Sequence, residues 1–115
     1  MSIKRLEIGK RLSQAVVHGD TVYLAGIVGD DFDADTAAQT RQILAKIDRL
    51  LASAGSDKRK ILSASVWLTD IRDYDVMNSV WDAWVPAGET PARACVEARL
   101  AQPKVRVEIR VTAAL

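Results

Sequence analysis

Eight residues near the C-terminus, Val105 to Thr112, alternate without a break. Val105, Val107, Ile109 and Val111 are apolar, and Arg106, Glu108, Arg110 and Thr112 are polar. A period of two marks a strand with one face on the core and the other turned away from it. A helix cannot present this pattern, because residues two apart on a helix point in different directions. The run upstream, Thr90 to Leu100, alternates too. Arg93, Cys95, Glu97 and Arg99 fall on one side, with Ala92, Ala94, Val96, Ala98 and Leu100 on the other. A short connector, Ala101 to Val105, suits two strands lying side by side. Arg93 and Glu108 are then expected to converge on one sheet face. There a guanidinium can clamp a carboxylate bidentately and a glutamate can position or activate water. The plain alternative is a surface salt bridge of little energetic weight, which is the commoner meaning of such a pair.

The rest of the chain reads as elements leading up to those strands. Ile3 to Glu7 is a weak strand candidate. Ser13–His18 and Thr21–Val28 flank Gly19-Asp20, a two-residue hairpin turn. Asp30, Asp31, Asp33 and Asp35 lie in a loop that lacks the ligand spacing and terminal Glu of an EF-hand. They suit the start of a helix instead. That helix is expected over Thr36 to Ala54, capped by Asp35 or Thr36, with Thr36 and Gln39 in capping-box spacing and Gly55 as its stop. Ile43, Leu44, Ile47, Leu50 and Leu51 form its apolar stripe. Lys60 to Thr69 reads as a buried strand. Tyr74 to Val85 reads as a second helix capped by Asp73, with Val76, Met77, Val80, Trp81 and Trp84 as its stripe.

This order gives two βαβ-like units and a mixed sheet, an α+β domain spanning residues 1–115. Both helices are expected on one face. The other face is expected to carry Arg93, Cys95 and Glu108, with Ser63, Ser65 and Trp67 of the middle strand. A half-covered sheet commonly hides its second face against other subunits, so an oligomer is expected.

Composition removes several function classes. Sixteen Lys and Arg stand against fifteen Asp and Glu, dispersed along the chain, so no basic stripe for nucleic acid exists. One cysteine and one histidine, His18, exclude an intramolecular disulfide, a thiolate metal cluster and most histidine metal sites. The N-terminus lacks an apolar signal core and no stretch approaches eighteen apolar residues, so a soluble cytoplasmic protein with no membrane partner is expected.

Four segments in order carry a resemblance. They are Ser13-Gln-Ala-Val with Val22-Tyr-Leu-Ala-Gly26, and Gln39-Thr40 with the aliphatic stripe down to Ala54-Gly-Ser. Val66-Trp-Leu-Thr-Asp-Ile with Met77-Asn-x-x-Trp81 follows, and then Thr90-Pro-Ala-Arg-Ala-Cys-Val-Glu with Val107-Glu-Ile. Together they resemble the RidA (YjgF) family over nearly the whole chain. The resemblance implies a chorismate-mutase-like fold, a homotrimer with active sites between subunits, and no metal or organic cofactor. It also implies hydrolysis of enamine or imine intermediates such as 2-aminoacrylate to 2-keto acids and ammonia. In that pattern Arg93 binds the substrate carboxylate, the backbone around Cys95 hydrogen-bonds substrate, Glu108 handles water, and Asn78 lies nearby. Leu12, Ala25 and Ile27 stand where the archetype has tyrosine, serine and glutamine, which implies a more apolar pocket and a more hydrophobic imine. The alternative is a trimeric carboxylate-binding or regulatory protein without turnover; a mutase or lyase rests on fold analogy alone.

Overall fold

The computed structural model, which describes residues 1–115, arranges the chain as β1 (Ile3–Ile8), β2 (Ser13–His18), β3 (Thr21–Leu24) and α1 (Thr36–Ala54). Then follow β4 (Ile61–Leu68), α2 (Tyr74–Trp84), β5 (Ala92–Glu97) and β6 (Val107–Ala114). The strands form one six-stranded sheet in the order β1-β2-β3-β6-β4-β5. β4 and β5 run parallel and the other neighbouring pairs are antiparallel. Gly19 takes φ 60° in the expected hairpin turn, a conformation glycine adopts without strain.

The helix α1 begins and ends as its sequence dictates. The Asp35 carboxylate accepts from the Ala38 N–H at 2.8 Å, and Gly55 closes the helix at φ 87°. The capping box expected of Thr36 and Gln39 does not form. Thr36 Oγ1 instead donates to Asp73 Oδ2 at 2.7 Å, tying the two helix starts together, and Asp73 makes no cap bond of its own. Gln39 is fully buried: its amide donates to the carbonyls of Phe32, Ala34 and Lys104, and its Oε1 accepts from the Arg106 N–H. One side chain therefore fixes the loop that enters β6. Its capping role lost to four backbone bonds, two of them, to Lys104 and Arg106, more than sixty residues away, which satisfy groups that would otherwise be unpaired.

Both helices lie on one face, as expected. Ile43, Leu44, Ile47 and Leu50 of α1, with Met77 and Trp81 of α2, bury against Val66, Leu68, Ile109 and Val111 of the sheet. At roughly 1.5–3 kcal/mol per fully buried aliphatic side chain, this packing rather than intrinsic propensity holds the helices. Val76 stands outside the buried stripe, 40% exposed.

Two expectations about the sheet are overturned. The strands β5 and β6 do not lie side by side, because β4 runs between them and pairs with both. Nor do Arg93 and Glu108 share a face. Arg93 and Cys95 align with Ala64 and Val66, whose side chains point into the helix side. Glu108 aligns with Trp67 on the opposite face, which the helices leave uncovered. On that face Ser63, Ser65 and Trp67 do lie, together with Ala92, Ala94 and Val96 rather than Arg93 and Cys95. The rule that the apolar side of a strand faces its own core fails for β5, an edge strand flanked by α2 alone.

Candidate active site

Two clusters of chemically capable side chains occupy opposite faces of the sheet. The first gathers where β5 meets α2. Tyr74, Met77 and Trp81 recur at i, i+3 and i+7, so they share one helix stripe. The parallel edge strand delivers Arg93 beneath it. The Arg93 guanidinium carbon sits 5.0 Å from the Trp81 ring centroid and 5.9 Å from that of Tyr74. Its Nη2 lies 3.5 Å from the Tyr74 hydroxyl oxygen and its Nη1 lies 3.9 Å from Met77 Sδ. No carboxylate pairs with it, in contrast to Arg49, Arg59 and Arg72. A half-buried guanidinium held by ring faces, with no anion, is poised to receive one.

Cys95, next on the same side of β5, is half-buried, and burial pushes its thiol up despite the opposing charge of Arg93. It is a small polar-tolerant side chain here, not an activated thiolate. β5 is also a sheet edge, so part of its backbone is free to bond a ligand. Asn78 follows Met77 in α2, and its Oδ1 is buried without any donor.

The second cluster centres on Glu108. Trp67 lies directly opposite it on β4, and Arg110, on the same face, donates from Nε to the Leu24 carbonyl at 3.1 Å. β3 stops at Leu24 instead of running to Val28 as expected, and the chain rejoins the sheet only at the Ile27–Ile109 bridge. The gap holds Gly26, where a side-chain β-carbon would clash with Glu108 Oε2. Glycine is required there so that the carboxylate can lie against the backbone. Burial raises the Glu108 carboxyl above the usual glutamate range.

Gly26→Ala is therefore expected to displace the Glu108 side chain while sparing the helix-side core. For the hydrolysis proposed below, a fall of roughly 10²-fold in turnover is the scale that a displacement of about 1 Å brings. Comparing turnover with thermal midpoint checks this, and a large loss of both together places Gly26 in folding alone.

The remaining positions separate clearly. Ala25 is partly buried beside Gly26, and its N–H donates to the Gln14 carbonyl at 2.9 Å. Leu12 is 53% exposed in the β1–β2 connection. Ile27 is 3% exposed and packs in the core cluster, at the floor of a cavity that it lines with Gln14, Gly26 and Val28. His18 is exposed at the end of β2. The aspartates of the acidic loop make ion pairs with other segments, Asp33 with Lys104 at 2.8 Å and Asp30 with Lys46. Sequence reasoning missed Tyr74, Trp81 and Gly26 as site residues. The i, i+3, i+7 spacing of Tyr74, Met77 and Trp81 was a readable signal, and it reads equally well as core.

A family described as endoribonuclease L-PSP matches residues 2–115. The RutC family protein YoaB of Escherichia coli is 44% identical over 115 residues, 100% of each chain. A protein of Acinetobacter baylyi named 3-aminoacrylate deaminase RutC is 35% identical over 94 residues, 76% of this chain and 74% of its own. The crystal structure of a YjgF family member from Neisseria meningitidis superposes with a TM-score of 0.97 at 51% identity, covering 99% of this chain and 95% of that one.

Proposed function

The chain belongs to this endoribonuclease L-PSP family, together with its RutC and YjgF relatives, and from that premise we propose that it hydrolyses reactive enamine and imine forms of amino acids to 2-keto acids and ammonia. The observation that carries the reading is Arg93, a half-buried guanidinium with aromatic neighbours and no carboxylate. A partly desolvated charge without a counter-charge is costly, and a substrate carboxylate offsets that cost. The relative named for 3-aminoacrylate supports the substrate class, since that molecule is an enamine carrying one carboxylate.

The reaction moves both protons of one water to the imine nitrogen by way of Glu108. Arg93 holds the carboxylate, and a water oxygen adds to the imine carbon while its proton passes to Glu108. The carbon–nitrogen π electrons move onto nitrogen. Glu108 returns that proton to the nitrogen to give a carbinolamine, then takes the hydroxyl proton and passes it to the nitrogen as the carbon–nitrogen bond breaks, so that ammonia leaves and the carbonyl forms. A carboxyl raised by burial is suited to both directions, because its pKa lies nearer the working pH.

Arg93 and Glu108 sit on opposite faces of one subunit, so they can meet only across two. The uncovered face, with Tyr23 and Val96 41% and 51% exposed, supports a homotrimer with each site in a cleft between neighbours. Leu12 and Ala25 offer apolar groups where the archetype has polar ones, a difference that favours imines of leucine or methionine over 2-aminoacrylate. The preference is expected to be several-fold at about 25 cal/mol per Å² of added apolar burial. The ribonuclease named in the family description finds little support in a near-neutral chain with a single histidine. No helix is long and apolar enough to cross a membrane.

The test generates imino acids in place with an amino-acid oxidase and traps them with semicarbazide. The protein is expected to lower semicarbazone formation by hydrolysing the imine first, most for leucine and methionine. Unchanged trapping across all amino acids would leave a carboxylate-binding protein without turnover.

A further inference from the structure

Tyr74 opens α2 beside the Arg93 guanidinium, and its hydroxyl bonds nothing else in the chain. In that 3.5 Å contact Nη2 is the donor, so the hydroxyl's own proton has no acceptor. The residue is 41% exposed, which leaves the hydroxyl within reach of a ligand. Trp81 meanwhile holds the guanidinium at 5.0 Å from its ring. Met77 Sδ, 3.9 Å from Nη1, is a weak acceptor that a carboxylate oxygen readily replaces. The guanidinium N–H groups and one uncommitted O–H therefore face a common place. A carboxylate matches that set, because its two oxygens offer about four acceptor sites and the guanidinium fork uses two of them.

We propose that Tyr74 is a third donor to the substrate carboxylate, a binding residue that acts with Arg93 and sets how tightly the site holds imino and keto acids. This rests on the reading of Arg93 given above, and the two are separable by experiment. Tyr74→Phe keeps the ring over the guanidinium and removes only the O–H. Ligand-observed NMR titration with pyruvate, and with methyl pyruvate as the ester control, reads the effect. The pyruvate dissociation constant is expected to rise roughly tenfold, the lower range for a hydrogen bond to a charged group. The ester should be unaffected. With an imine substrate KM rises while kcat changes little, the signature of lost uniform binding. In an Arg93→Ala background, where pyruvate affinity is already lost, Tyr74→Phe adds nothing.

A Tyr74→Phe protein that binds pyruvate normally, while Arg93→Ala does not, sinks the Tyr74 assignment and keeps the site. Equal weakening toward pyruvate and its methyl ester makes the hydroxyl a structural group and likewise sinks it. Pyruvate binding that survives Arg93→Ala, or is absent from the unaltered protein, removes the carboxylate site itself.

Discussion

Arg93→Ala and Glu108→Gln subunits, each nearly inactive alone, are expected to recover about a quarter of the unaltered turnover when refolded together in equal amounts. The reason is the sheet. β4 separates the strands that carry the two residues, so they stand two strands apart, ~10 Å across the sheet. Arg93 aligns through Ala64 with Val111, three positions along β6 from Glu108, which adds ~10 Å along the strand. Their side chains then leave the sheet in opposite directions. No rotamer change unites them within one subunit. In the trimer proposed above, each site would take Arg93 from one subunit and Glu108 from the next. Random mixing leaves both intact in about one site of four. Keto-acid release by the mixture measures the recovery, and sedimentation should give a mass near three times 12.6 kDa. No recovery in a mixture that sediments as a trimer would place the two groups in separate functions and end the shared-cleft reading.

Glu108→Gln carries the other large expected effect. The amide keeps the volume against Gly26 but cannot take a proton from water. Hydrolysis is expected to fall by roughly 10²–10⁴-fold, the loss typical of removing a general base, while pyruvate still binds. The pH profile supplies an independent readout. Burial raises the Glu108 carboxyl, so its base form is lost at a higher pH than an ordinary glutamate would show. The acid limb of kcat/KM should therefore lie above the usual carboxylate range, and it should vanish in Glu108→Gln. Equal loss of binding and turnover makes Glu108 a ligand-binding group instead. Unchanged turnover removes it from the reaction.

The element order, the Gly19-Asp20 hairpin, the Asp35 and Gly55 ends of α1 and the shared helix face were legible in the chain. Each follows from short-range chemistry: period two against period 3.6, a side chain that accepts from a helix N–H, and a glycine where φ is positive. The family, too, was written in four short segments. What stayed hidden depends on contacts between distant segments. Gln39 looked like half of a capping box until its partners proved to be Phe32, Ala34, Lys104 and Arg106. The bridge from Ile27 to Ile109, which closes the sheet beyond Gly26, was equally invisible in the chain.

The largest difference concerns the candidate site itself. Alternation along Ala92–Glu97 and along Val107–Ala114 determined which residues of each strand share a side. It could not say which side of one strand matches which side of the other, because that relation passes through a third strand. Once β4 lies between them, its register pairs Ala64 with Arg93 and Trp67 with Glu108. Ala64 and Trp67 are three residues apart, an odd step in a period of two, so they point to opposite faces. The chain alone supplied the guanidinium and the carboxylate; strand order and register decided that one subunit cannot bring them together.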